Sequence, residues 1–149
     1  MIILTDCFSA KLKNLAHIRH FVNDAANSLG ADPHSVLDLV QAVDEAATNI
    51  IVHGYAGRPG VIEVTIERQK DLMVIAMRDQ APGFDPTRVP PPDLTLPLEK
   101  RPVGGLGIFL IRRSVDELQH HFLPSGGNEL ILIKRLAVRD SPYPIGKTC

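Results

Sequence analysis

Seven of the chain's twelve prolines fall between residues 80 and 103: Pro82, Pro86, Pro90, Pro91, Pro92, Pro97 and Pro102. Each lacks the amide hydrogen that a helix or a sheet ladder needs, and each holds its own φ near −65°. No regular element can run through such a segment, so it must be a long loop between two ordered stretches. Loops of this length inside a compact domain are functional lids or disordered segments. The flanking sequence is strongly patterned on both sides, which predicts a lid over residues 80–103 that is mobile without a ligand and closes over a bound one.

Before the lid, "IILTDCF" reads as a strand. Over residues 11–29, Leu12, Leu15, Ile18, Phe21, Val22, Ala25 and Leu29 recur at three- and four-residue spacing, which predicts an amphipathic helix. Asp32 followed by Pro33 fits an N-cap with proline at the first helical position. The second helix then runs to about Val52 on a stripe of Val36, Val40, Val43, Ala47 and Ile50, closed by Gly54 and Gly57. "VIEVTIERQ" and "LMVIAMRD", joined by "KD", predict a hairpin. After the lid, "GGLGIFLIRRSVDEL" restarts order as a helix entered through glycines. "QHHFLP", the turn "SGGN" and "ELILIKRL" predict a final hairpin, and a loose tail follows. This order predicts an α+β fold in two layers, with helices packed on one face of a mixed, mostly antiparallel sheet. Residues 1–149 read as one domain, with a core of about 5–136 and a tail over 137–149.

Composition narrows the function. Sixteen basic residues against seventeen acidic ones leave no broad electrostatic footprint for nucleic acid or an anionic membrane. No apolar run reaches the roughly 18 residues of a membrane span, and no signal-peptide pattern opens the chain. Cys7 and Cys149 stand far apart without metal-ligand spacing, which suits a reducing compartment, and a cytoplasmic location is expected. His120 and His121 would face opposite ways on a strand, a poor arrangement for a metal.

Three clusters carry chemistry. On a helix, Glu45, Asn49 and His53 follow one another at four-residue spacing and share a face. A carboxylate can act as a general base. An amide oxygen is a neutral ligand for Mg²⁺, an ion that keeps several waters and takes only one or two protein ligands beside phosphate oxygens. Asp79 stands where a strand ends in "RDQAPGFDP"; its acceptor-only carboxylate suits an exocyclic amine, and Gly83 lets backbone approach a flat base. Gly104, Gly105, Leu106 and Gly107 open a helix, where free amides bind phosphate. The chain has no P-loop, no dinucleotide-binding glycine pattern after a strand, and no eukaryotic-type kinase motif.

In this order, "VDEAATNIIVHGY", "RDQAPGFDP" and "GGLGIFLIRRSVDEL" resemble the Bergerat-fold ATPases shared by gyrase, histidine kinases and mismatch-repair proteins. Within them the wording is most similar to the RsbW-like anti-sigma factor serine/threonine kinases, over about residues 5–136. The resemblance implies ATP and Mg²⁺ as cofactors, with Glu45 activating the attacking hydroxyl and Asn49 holding the metal. It implies Asp79 as the adenine reader, Gly83 as the glycine beneath the base, and Gly105 and Gly107 as phosphate-lid glycines. It implies no role for His53, which is expected to be a packing histidine. The partners it implies are a STAS-domain anti-sigma factor antagonist as substrate, a sigma factor, and a second copy of the chain. Two departures stand out: Ala81 where glycine is usual, and Asn128 and Ile131 where a threonine is usual. Two readings remain open at this point: a protein kinase, and a nucleotide-gated partner-binding module with little transfer activity.

Overall fold

The computed structural model of the chain describes residues 2–100 and 105–137. Gly104, the last residues of the expected lid, Cys149 and nearly all of the expected tail lie outside the described residues. Five strands form one sheet: β1 (Ile3–Ser9), β2 (Val61–Gln69), β3 (Leu72–Asp79), β4 (Glu117–Phe122) and β5 (Asn128–Arg135), in the order β1-β2-β3-β5-β4. All four pairings are antiparallel. Among the described residues three α-helices, α1 (Leu15–Ser28), α2 (Pro33–Asn49) and α3 (Gly105–Ser114), pack beside the sheet, with α2 against both others.

Period-two alternation decides which side of the sheet is buried. Ile62, Val64 and Ile66 of β2, Met73, Ile75 and Met77 of β3, and Leu130 and Leu132 of β5 point inward and are buried. They meet Ile18 and Val22 of α1, Leu39 and Val43 of α2, and Ile108 and Ile111 of α3 in one core. The opposite face carries the ion pairs of Arg78 with Glu63 and Glu129, at 2.7 and 2.6 Å. This is the two-layer α+β arrangement that the element order predicts.

The start of α2 follows its sequence signal. The Asp32 side chain accepts a hydrogen bond from the Ser35 amide at 3.1 Å, with Pro33 in the first turn. Its end does not. The helix continues beyond Asn49 and widens to π pitch over Ile50–Tyr55, so Gly54 lies inside it. The chain leaves through Ala56 and Gly57, both in the left-handed region at φ 52° and 85°. The helix expected through "VDEL" also stops early, at Ser114. The Asp116 amide bonds to the Ile133 carbonyl at 2.9 Å and the Asp116 carboxylate accepts from the Arg135 amide, which draws the chain into β4. No helix among the described residues is long and apolar enough to cross a membrane.

Candidate functional site

A cavity of about 370 Å³ opens between α2, its π-pitch extension, the end of β3 and α3. That volume is in the range of small-molecule sites. Its walls are mostly apolar, with Ala46, Ile50, Ile108, Ile111 and Leu130, and its polar groups are Asn49, His53, Arg58, Asp79, His120 and Asn128. Gly83 and Phe84 line it from the first residues of the lid.

The inward row of β3 runs Met73, Ile75, Met77 and then Asp79, so the pleat carries a carboxylate into the core side of the sheet. Asp79 is 5% exposed. Its Oδ1 accepts from the Ala81 amide at 2.9 Å and from Asn128 Nδ2 at 3.0 Å. Burial pushes its pKa up, opposed by those two hydrogen bonds and by the nearby His120. Asn128 is its direct cross-strand partner.

Glu45 and Asn49 share the face of α2 that meets α3. A Cβ built on Gly107 would lie 3.2 Å from Asn49 Nδ2, 3.3 Å from Glu45 Oε2 and 3.5 Å from Asn49 Oδ1. The start of α3 is therefore in close contact with both polar side chains, an approach that only glycine leaves free. The amide Nδ2 of Asn49 is buried without a hydrogen-bond partner among the described residues. A buried amide N–H group without a partner costs folding free energy, so it fits a residue whose partner is a ligand. Burial first, and then the charge of Asp44, raise the pKa of Glu45. Glu45 stands outside the lining of the cavity, beside Asn49, which belongs to it.

His53 corrects the expectation of a packing histidine: it is exposed at the cavity wall. The four-residue stacking that would align it with Asn49 holds at α pitch, and the pitch widens from Ile50 onward. The two departures also find their places. Ala81 is buried, with no left-handed backbone to demand glycine, and its Cβ would be 3.1 Å from one on Gly54, so alanine at 81 fits against glycine at 54. Ile131 lies on the outer face, paired with Ala76 and Gln119, away from the cavity. Asn128 alone replaces the expected threonine at the site.

The structure adds residues that sequence reasoning passed over. The His120 side chain is 2% exposed, and its Nε2 is 2.9 Å from Asn128 Oδ1. Its place two residues after Leu118, on the same face of β4, could have marked it. Arg58 is held at the cavity by the carbonyls of Tyr55 and Gly54, at 2.9 and 3.2 Å. The lid is anchored further along than its sequence suggested. The Phe84 amide bonds to Asn128 Oδ1, Asp85 caps the turn Pro86–Arg88, and Arg112 bonds to the Thr87 carbonyl.

The chain is similar to known proteins. A family model described as the histidine kinase-like ATPase domain matches residues 8–134. The serine-protein kinase RsbW of Bacillus cereus (strain Q1) is 32% identical over 114 residues, covering 74% of this chain and 71% of that one. The RsbW of Bacillus thuringiensis subsp. konkukian (strain 97-27) matches to the same extent. Among solved structures, the RsbU and RsbW domains of Rv1364c from Mycobacterium tuberculosis share the fold with a TM-score of 0.65 at 20% identity. That match covers 91% of this chain, which spans 33% of the solved one. The chain belongs to the histidine kinase-like ATPase family, in the group of the RsbW serine/threonine kinases.

Proposed function

We propose that this RsbW-family kinase binds ATP in the cavity described above and transfers its γ-phosphoryl group to a serine or threonine of a STAS-domain anti-sigma factor antagonist. The observation that carries the reading is the buried, unpaired Nδ2 of Asn49 beside Glu45, both against Gly107. Asp79 accepts the exocyclic amine of adenine. The helix that begins at Gly105 has first-turn amides without intrahelical partners, and these bind phosphate oxygens. Asn49 is the residue that would hold Mg²⁺, and the ion when bound would neutralise phosphate charge.

Glu45 takes the proton of the substrate hydroxyl as its oxygen bonds to the γ-phosphorus. The bond from that phosphorus to the β,γ-bridging oxygen breaks, ADP leaves with the electron pair, and the proton rests on the Glu45 carboxylate. A raised pKa suits this role, because a base closer to the working pH is a better proton acceptor. Sequestration of a sigma factor and pairing with a second copy belong to the same proposal. The test is incubation with γ-labelled ATP, Mg²⁺ and a purified STAS-domain protein encoded beside the gene. Label on a seryl or threonyl side chain, lost in Glu45→Gln, is the expected result. Tight nucleotide-dependent binding of the partner without transfer would overturn the catalytic role and leave a gated binding module.

A further inference from the structure

Asn128 is 7% exposed, and every hydrogen-bonding position on its amide is taken by protein. Its Nδ2 lies 3.0 Å from Asp79 Oδ1, 3.3 Å from the Ala81 carbonyl and 3.2 Å from the Pro82 carbonyl. Its Oδ1 lies 3.0 Å from the Phe84 amide and 2.9 Å from His120 Nε2. Turned over, the amide would face N–H against N–H at Phe84 and oxygen against three oxygens on the other side, so one orientation alone is satisfied. In that orientation His120 must donate from Nε2, which fixes its tautomer. The ring is held by an edge contact to Phe122, centroids 4.6 Å apart, and its Nδ1 is 3.7 Å from Asp85 Oδ1.

The consequence falls on Asp79. Both protein donors go to Oδ1, so rotation of the carboxylate about Cβ–Cγ would break two bonds at once. Oδ2 accepts no hydrogen bond from the described residues and is the oxygen left for a ligand. The same amide grips the backbone from Ala81 to Phe84, where the lid begins.

We propose that Asn128, oriented by His120, is a positioning residue that aims the Asp79 carboxylate at the amine of the base and ties that aim to the root of the lid. The inference rests on the ATP reading of the cavity. The residue touches no reacting atom; it acts through Asp79.

The test compares affinities of the full chain for ATP and for purine riboside triphosphate, which lacks the 6-amino group, both with Mg²⁺. Wild type is expected to prefer ATP. Asn128→Ala should weaken ATP by about 10–100-fold, the range for a lost hydrogen bond to a charged group, and leave the purine analogue nearly unchanged. Added to Asp79→Ala, it should cost nothing further. His120→Gln, which keeps an N–H donor, should retain the preference, and His120→Phe should reduce it. If Asn128→Ala fails to fold by circular dichroism, the two His120 variants carry the same comparison. Equal weakening of both nucleotides, or an undiminished preference in Asn128→Ala or His120→Phe, would overturn the proposal and leave a structural role. Wild-type protein that binds neither nucleotide would overturn the ATP reading itself, and this inference with it.

Discussion

Gly107→Ala should separate the chemistry of the site from the stability of the fold, because its two effects have opposite signs. A methyl at this position comes within 3.2 Å of Asn49 Nδ2 and 3.3 Å of Glu45 Oε2. Comfortable contacts of this kind lie at about 3.5–4.0 Å, so both side chains must move by a few tenths of an ångström. Both are side-chain ends and can give way, which keeps the cost to folding small. The substitution also replaces glycine by alanine inside α3, worth up to about 1 kcal/mol in a helix interior and less in the first turn. The melting temperature should therefore hold or rise. Function should fall: a displacement of 1 Å in a reacting group can cost about a hundredfold, so a shift of about a third of that should cost about fourfold, roughly 0.8 kcal/mol of barrier. Thermal melting, calorimetry with Mg²⁺-ATP and phosphoryl transfer from labelled ATP measure the three quantities on one sample. A variant that melts no lower and transfers as fast as wild type would refute the reasoning, since the Glu45–Asn49 face would then not be where phosphate reacts. A variant that loses stability and function together would refute it too, by showing that the methyl is not accommodated.

Asn49→Ala should lose Mg²⁺-dependent ATP binding without losing stability, because it removes a buried amide nitrogen that has no partner among the described residues; calorimetry with and without Mg²⁺ checks this, and an unchanged Mg²⁺ dependence would count against it. Glu45→Gln should keep nucleotide and lose phosphoryl transfer by about 10²–10⁴-fold. Because burial and Asp44 raise the Glu45 pKa above its ordinary 4.5, the native state holds this proton more tightly than the unfolded chain. The stability it contributes is full below that value and is lost as pH rises through the folded pKa, so Glu45→Gln should melt above wild type at neutral pH and converge with it below 4.5. In the lid, hydrogen exchange should be slow at Phe84, Arg88 and Val89 with or without nucleotide, since their amides are bonded at its root. Thr95, Leu96 and Lys100, whose amides are bonded locally, should gain further protection with Mg²⁺-ATP, and equal exchange in both states would mean that this stretch does not close.

What was legible in the sequence was local, and what was not came from register and packing. The α2 spacing placed Glu45 and Asn49 together because α pitch holds from Pro33 to Asn49; nothing local announces the π pitch that follows, where His53 is exposed at the cavity wall instead of packed. The glycines of α3 were visible, but their contact with α2 depends on how two helices separated by the whole β2–β3 hairpin and the lid come to pack. The strands hold the more general lesson. Each of three inward rows breaks its apolar alternation at the same end of the sheet: Met77 gives way to Asp79, Leu130 to Asn128 and Leu118 to His120. Read one strand at a time, Asp79 and Asn128 are ordinary strand-end polar residues and His120 a lone histidine inside an edge strand. The register places Asp79 opposite Asn128 and His120 beside them on the edge strand, where an isolated buried polar group would cost about 1–3 kcal/mol. Asn128 removes that cost by bonding to both neighbours at once, and in doing so leaves one carboxylate oxygen facing a cavity lined mostly by hydrocarbon. The site is thus a consequence of bringing three polar strand residues together, and a period-two reading of all three strands together is the signal that would have found it.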